Sequence, residues 1–149
     1  MTKLDPLAFL RNNRDPSKKT VIKVASETQY IRKVSSRIIS FLEHYKVDEG
    51  RIFDIRLCIE EAVRNAMVHG NHSDKALAVR TAYWIDDGAL NIEIEDEGQG
   101  FDHIGVADPT TPPHILKNSG RGVYLIKKLM DKVEYNEKGN KVTMLKRLK

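Results

Sequence analysis

Apolar residues at Ile52, Ile55, Ile59, Ala62 and Ala66 recur at steps of three and four, the stripe of an amphipathic helix that Gly70-Asn71 should end. A period of two follows. Leu90, Ile92 and Ile94 alternate with Asn91, Glu93 and Glu95, which predicts a strand over 89–95 with one buried and one wet face. The run 76–84 reads as its partner, with Asp86-Asp87-Gly88 as a hairpin turn between them. Upstream, the β-branched run 20–25 predicts a strand, and Ser26-Glu27 reads as the cap of a helix reaching to Tyr45. Downstream, Val123, Ile126, Leu129, Met130 and Val133 predict a third helix, with Gly120-Arg121-Gly122 directly before it. Strands over 133–135 and 142–148, around Lys138-Gly139-Asn140, close the chain. The order β-α-α-β-β-loop-α-β-β predicts an α+β fold. Its form is a two-layer α/β sandwich with one mixed, mostly antiparallel sheet and helices on one face.

Length and composition fit this reading. One domain accounts for 149 residues, 40% of them hydrophobic and 31% charged. Residues 1–20 read as a polar arm, and 21–149 are expected to form the domain. No apolar run approaches a membrane span and the first residues lack an apolar signal core, so a cytoplasmic location without membrane association is the default expectation. Cys58, the sole cysteine, is expected to be a packed helix residue. The net charge of +4 does not argue for nucleic acid. Its distribution is uneven: seven acids and no base lie between Asp86 and Asp102, while ten bases and three acids lie between Lys117 and Lys149. The basic tail (Lys138, Lys141, Lys146, Arg147, Lys149) lacks interleaved aromatics and follows a strand pattern, so it reads as a solvated strand face rather than a nucleic-acid patch.

Chemistry concentrates in three places. Glu61 and Asn65, four apart on the second helix, leave the same face, where a carboxylate and an amide can share one metal and its water. Alone, such a pair reads first as an ordinary solvent face. Asp96-Glu97-Gly98-Gln99-Gly100 stands at a strand end, where Gly98 and Gly100 permit positive φ or a close approach. Gly120-Arg121-Gly122, at a helix start, offers amides to phosphate oxygens. Between the two glycine pairs runs a segment holding Gly105 and three of the five prolines, a composition suited to a functional lid. Neither a Walker loop nor a dinucleotide fingerprint is present.

Glu61-Ala-Val-Arg-Asn65-Ala-Met-Val-His69-Gly70, Asp96-Glu-Gly98-Gln-Gly100-Phe101 and Ser119-Gly120-Arg-Gly122 resemble, in order and spacing, the nucleotide site of the gyrase, Hsp90, histidine kinase and MutL ATPases. Within that superfamily the chain is most similar to the bacterial anti-sigma factor serine/threonine kinases, over essentially 21–149. The resemblance implies a Bergerat-type ATP-binding fold with ATP and Mg²⁺ as cofactors. It implies Glu61 as the general base, Asn65 as the magnesium ligand and Asp96 as acceptor from the adenine amino group. Gly98 and Gly100 would let the base approach the backbone, and Gly120 and Gly122 would place amides on the phosphates with Ser119 as helper. Lys117 and Arg121 stand either as cations for the β- and γ-phosphates or as solvated charges. The lid would span about 101–119. Two positions depart from the pattern: Asn118 stands where relatives often carry Arg, and Asn140 follows the hairpin glycine where many carry Thr.

By the same resemblance, the chain would transfer the γ-phosphate of MgATP to a serine or threonine of a STAS-domain anti-anti-sigma protein and sequester a sigma factor. A homodimer is implied by analogy, and direct nucleic-acid binding is not. Asn118 and Asn140 keep open a nucleotide-gated binding module without kinase turnover. The catalytic half of a histidine kinase is disfavoured, because none of the five histidines sits in an H-E-x-[RK]-x-P setting.

Overall fold

The computed structural model describes residues 15–98 and 118–149, with the side chains of 118–121 left aside. Strand β1 (Thr20–Ala25) is followed by a 3-10 turn (Thr28–Tyr30), helix α1 (Ile31–Phe41), a second 3-10 turn (Leu42–Tyr45) and helix α2 (Glu49–Asn65). A π-type turn (Ala66–Gly70) extends α2, and β2 (Ala78–Asp86), β3 (Ala89–Glu95), α3 (Asn118–Leu129), β4 (Lys132–Tyr135) and β5 (Lys141–Arg147) complete the order. The five strands lie as β1-β2-β3-β5-β4. Every neighbouring pair is antiparallel, so the described sheet contains none of the parallel pairing that a mixed sheet would hold.

One face of the sheet meets the helices. Ile92, Ile94 and Met144 from the sheet join Val34 and Ile38 of α1, Ile55 and Ile59 of α2, and Ile126 of α3 in a single core. The alternation along β3 is as the sequence predicts: Leu90, Ile92 and Ile94 are buried while Asn91, Glu93 and Glu95 are partly exposed. In the β2–β3 hairpin Asp86 pairs with Ala89 across Asp87 (φ 51°) and Gly88 (φ 73°). Two positive φ values in a two-residue loop match the right-handed twist of the strands.

Local chemistry departs from the sequence reading at Ser26 and Lys146, and it adds a helix cap that the reading did not assign. Ser26 does not cap a helix; its hydroxyl donates to Leu77 O at 2.7 Å, tying the end of β1 to the segment before β2. Helix α2 starts at Glu49, where the Asp48 carboxylate accepts from Arg51 N at 2.9 Å and satisfies a free first-turn amide. Lys146, placed by sequence on a solvated face, has a side chain only 12% exposed. Its ammonium donates to Leu129 O at 2.6 Å and pairs with Asp54 at 3.7 Å, so it joins β5 to the C-terminal end of α3 and to α2.

Cys58 is fully buried on α2, as its residue type suggests, and burial pushes its thiol up to about 12. A thiol held protonated in this way packs as a small hydrophobe. Among the described residues, no helix is long and apolar enough to cross a membrane.

Candidate functional site

The cleft lies between α2, α3 and the β3–β5 end of the sheet. Ala62, Ala66, Ile94, Val123 and Val142 give it an apolar floor, while Asn65, His69, Asp96 and Asn140 bring polar groups to its rim. Small residues at 62 and 66 follow from the α2 stripe, which turns its alanines to the place where a ligand ring needs room.

At one end of the cleft, Glu61 and Asn65 occupy the last turn of α2. Glu61 is partly exposed and its Oε1 accepts from Arg64 Nη1 at 3.1 Å. No other described residue hydrogen-bonds the Asn65 side chain, which leaves its amide oxygen available to a ligand. Opposite them stands Gly122 of α3. A Cβ there would lie 2.8 Å from Glu61 Oε2 and 2.9 Å from Asn65 Nδ2. Helix α3 starts at Asn118, so the glycine pair lies inside the helix and not ahead of it. Helix geometry leaves the first-turn amides unpartnered, Gly120 included; Gly122 lies past them, and contact with the Glu61–Asn65 pair is what requires a glycine there. The helical backbone of Ser119, Gly120 and Arg121 is described and their side chains are not. Gly100, Lys117 and most of the lid segment, about 101–119, lie outside the described residues.

Asp96 closes the other end, one residue past β3 and only 7% exposed. Burial raises its pKa above the ordinary carboxylate range, and the Gly98 N–H, which donates to Oδ1 at 2.8 Å, opposes that shift. Because the folded value is the raised one, stability falls as pH rises through it and the buried charge forms. An incoming donor would relieve that burial penalty, which suits Asp96 to recognising an amino group.

Gly70 and Gly98 make the Asp96 turn fit. A Cβ on Gly70 would meet Asp96 Oδ2 at 2.2 Å, and one on Gly98 would meet Gly70 O at 1.8 Å. Close approach, not positive φ, is thus what position 98 demands, and the group approaching it is the Gly70 backbone. Gly98→Ala is expected to destabilise the fold by about 1–3 kcal/mol, the usual result of overpacking against atoms that cannot rotate away. Thermal unfolding followed by circular dichroism checks it, and an unchanged midpoint would mean that the two turns separate without strain.

Sequence reasoning did not assign Asn71, which is fully buried beside this turn. Its Nδ2 donates to Ser26 Oγ at 2.9 Å and to Ala78 O at 3.0 Å, and its Oδ1 accepts from Glu97 N at 2.8 Å. The Gly70-Asn71 pair reads in sequence as a helix end, and nothing local tells that the asparagine turns inward. Gly70 itself belongs to the first motif, but its contact with Asp96 is made across 26 residues of chain and is invisible to spacing.

The arrangement fits a purine nucleotide with one divalent cation: an acceptor at the buried end, an apolar floor, and an uncommitted amide beside a carboxylate at the other end. Among the described residues, no group of three or more His, Cys, Asp or Glu side chains could hold a metal ion. A cation here would therefore take few ligands from the described residues, as magnesium does when phosphates supply the rest.

Comparison with known proteins points the same way. The sequence pattern of the histidine kinase-like ATPase domain matches residues 24–146. An anti-sigma F factor of Oceanobacillus iheyensis is 33% identical over 129 residues, which cover 83% of this chain and 86% of the relative. A serine-protein kinase RsbW of Staphylococcus epidermidis is 25% identical over 136 residues, covering 86% of each. Among solved structures, the RsbU and RsbW domains of Rv1364c from Mycobacterium tuberculosis superpose with a TM-score of 0.61 at 22% identity. That match covers 91% of this chain and 34% of the other, and it supports the two-layer α+β fold.

Proposed function

Because the chain belongs to the histidine kinase-like ATPase domain family, we propose that it is an anti-sigma-type serine/threonine kinase. In this reading it transfers the γ-phosphate of MgATP to a STAS-domain antagonist and sequesters a sigma factor. The supporting observation is the convergence of Glu61 and Asn65 on Gly122 at one end of a cleft whose other end is the buried Asp96 carboxylate. Relatives named as an anti-sigma F factor and a serine-protein kinase, matched over 83% and 86% of this chain, support the kinase and anti-sigma parts of this reading. The domain would comprise 21–149 with 101–119 as its lid, act in the cytoplasm and pair with a second copy.

Each residue then has a physical task. Asp96 accepts from the exocyclic amine of adenine, and Gly98 holds its carboxylate by the backbone N–H. Asn65 holds the magnesium ion through a neutral oxygen, adding no negative charge beside a triphosphate. Magnesium, when bound, supplies charge neutralisation for the phosphates, the main demand of a loose phosphoryl-transfer transition state. Glu61 orients the attacking hydroxyl and takes its proton. The first-turn amides of α3, Gly120 among them, face phosphate oxygens with the positive end of the helix dipole behind them. Ser119, Lys117 and Arg121 would complete the phosphate contacts, and Gly100, with Gly98, would let the base approach the backbone.

The test is capture from source-cell lysate on the purified chain with MgATP, reading identity and phosphorylation of retained proteins by mass spectrometry. A small retained protein carrying a new phosphoserine or phosphothreonine, absent without ATP, is the expected result. A partner retained only with nucleotide and left unmodified would replace the kinase by a nucleotide-gated binding module.

A further inference from the structure

The peptide group between Asp96 and Glu97 lies just past the β-ladder, whose last pairs on β3 are Arg80↔Glu95 and Glu95↔Lys141. Neither of its polar ends is left bare. Asn140 Nδ2 donates to Asp96 O at 3.1 Å, and Glu97 N donates to Asn71 Oδ1 at 2.8 Å. Two asparagine side chains from distant parts of the chain thus grip one peptide plane, where a ladder strand would otherwise have done so. Asn140 also accepts through its own carbonyl from Asp96 N at 2.9 Å, so Asp96 is bracketed on both sides of its Cα.

The orientation of both amides is determined by their partners. Asn136 Oδ1 accepts from Gly139 N at 2.8 Å and Lys141 N at 3.1 Å, which turns Asn136 Nδ2 toward Asn140 Oδ1 at 2.7 Å and so aims the Asn140 donor at Asp96. For Asn71, a flipped amide would set its NH₂ against the Glu97 N–H and its oxygen against the Ala78 carbonyl, two repulsions in a fully buried site. Glu97 reinforces the grip, since its Oε1 accepts from Ala78 N at 2.7 Å.

We propose that Asn71 and Asn140 are positioning residues for the adenine nucleotide, clamping the Asp96–Glu97 peptide so that the Asp96 carboxylate stands ready before the base arrives. The clamp rests on the nucleotide reading above and deepens it. It makes affinity for the base depend on the β4–β5 hairpin, which carries Asn136 and Asn140.

The test compares Asn140→Ala with the unaltered chain. KM for ATP and the dissociation constant for ADP should rise about threefold to tenfold, the range expected for one neutral hydrogen bond. The turnover number at saturating ATP should stay within about twofold, the pattern of lost ground-state binding. Asn136→Ala, which frees the Asn140 amide without touching Asp96, should move KM in the same direction by less. In an Asp96→Ala background, Asn140→Ala should change ADP affinity by less than about twofold, because its effect acts through Asp96. Hydrogen exchange of the Glu97 amide should quicken in Asn71→Ala, and the position 140 and 136 variants carry the test if that protein does not fold. Unchanged KM and ADP affinity in Asn140→Ala overturn the clamp while leaving the nucleotide reading intact. So does a turnover loss as large as the KM gain. Failure of the unaltered chain to bind any adenine nucleotide overturns both, so the two failures are distinguishable.

Discussion

Glu61→Gln is expected to lower phosphoryl transfer by roughly 10²- to 10⁴-fold, the contribution of a positioned general base. ADP affinity should remain within about twofold, because the substitution removes a proton acceptor and not a binding contact to the base. The structure supports this separation. Glu61 lies in the last turn of α2 beside Asn65, whereas the buried acceptor Asp96 is carried by the far rim of the cleft. Glutamine has nearly the same shape, and its amide oxygen can still accept from Arg64 Nη1, which now lies 3.1 Å from Glu61 Oε1. That pair is partly exposed, so its loss should alter stability by less than about 1 kcal/mol. Single-turnover transfer from MgATP to the captured partner, with calorimetric titration of ADP in parallel, measures both quantities. Transfer at the original rate in Glu61→Gln would remove Glu61 from the proton-accepting role and require another acceptor at the cleft mouth.

Which parts of this molecule could be read from sequence depends on how far a residue's determinants lie along the chain. The α2 stripe, the alternation of β3 and the Asp87-Gly88 turn are decided by neighbours within a few residues, and each is found where its pattern places it. Asp96 and the Glu61–Asn65 pair were also legible, because a strand end and an i, i+4 spacing determine where those side chains point. Three features were not. The start of α3 lies five residues before its apolar stripe, since a first turn needs no buried face and glycines do not forbid it. Lys146 reads as a surface base, yet the carbonyl it bonds and the carboxylate it pairs with come from α3 and α2. By local chemistry Asn71 and Asn140 read as turn residues, and resemblance alone marks Asn140 as standing where many relatives carry Thr near the adenine; their shared target, the Asp96–Glu97 peptide, is 26 and 44 positions away from the side chains' own residues. Turn chemistry and deep polar support draw on the same residue types, so composition does not separate them.

Gly122→Ala should give a protein that is more stable and much less active. Glycine inside a helix costs roughly 1 kcal/mol relative to alanine, so the substitution raises the unfolding midpoint by about 2–4 °C if the new methyl is accommodated. Accommodation is available, because the atoms it would strike are Glu61 Oε2 at 2.8 Å and Asn65 Nδ2 at 2.9 Å, the free ends of side chains and not backbone. Those ends can swing aside while α2 and α3 stay in place. The displaced groups are the carboxylate and the amide assigned to the proton and the metal, and a shift near 1 Å at such positions lowers turnover by about a hundredfold. Stability and transfer therefore move in opposite directions, a result that simple misfolding cannot mimic. In a Glu61→Gln background the further loss of transfer should be smaller, since part of what the methyl disturbs is already gone. A stabilised Gly122→Ala protein that transfers phosphate at the original rate would show that Gly122 does not hold the Glu61–Asn65 pair in its reacting geometry. Helix α3 would then act on the phosphates through its first-turn amides alone.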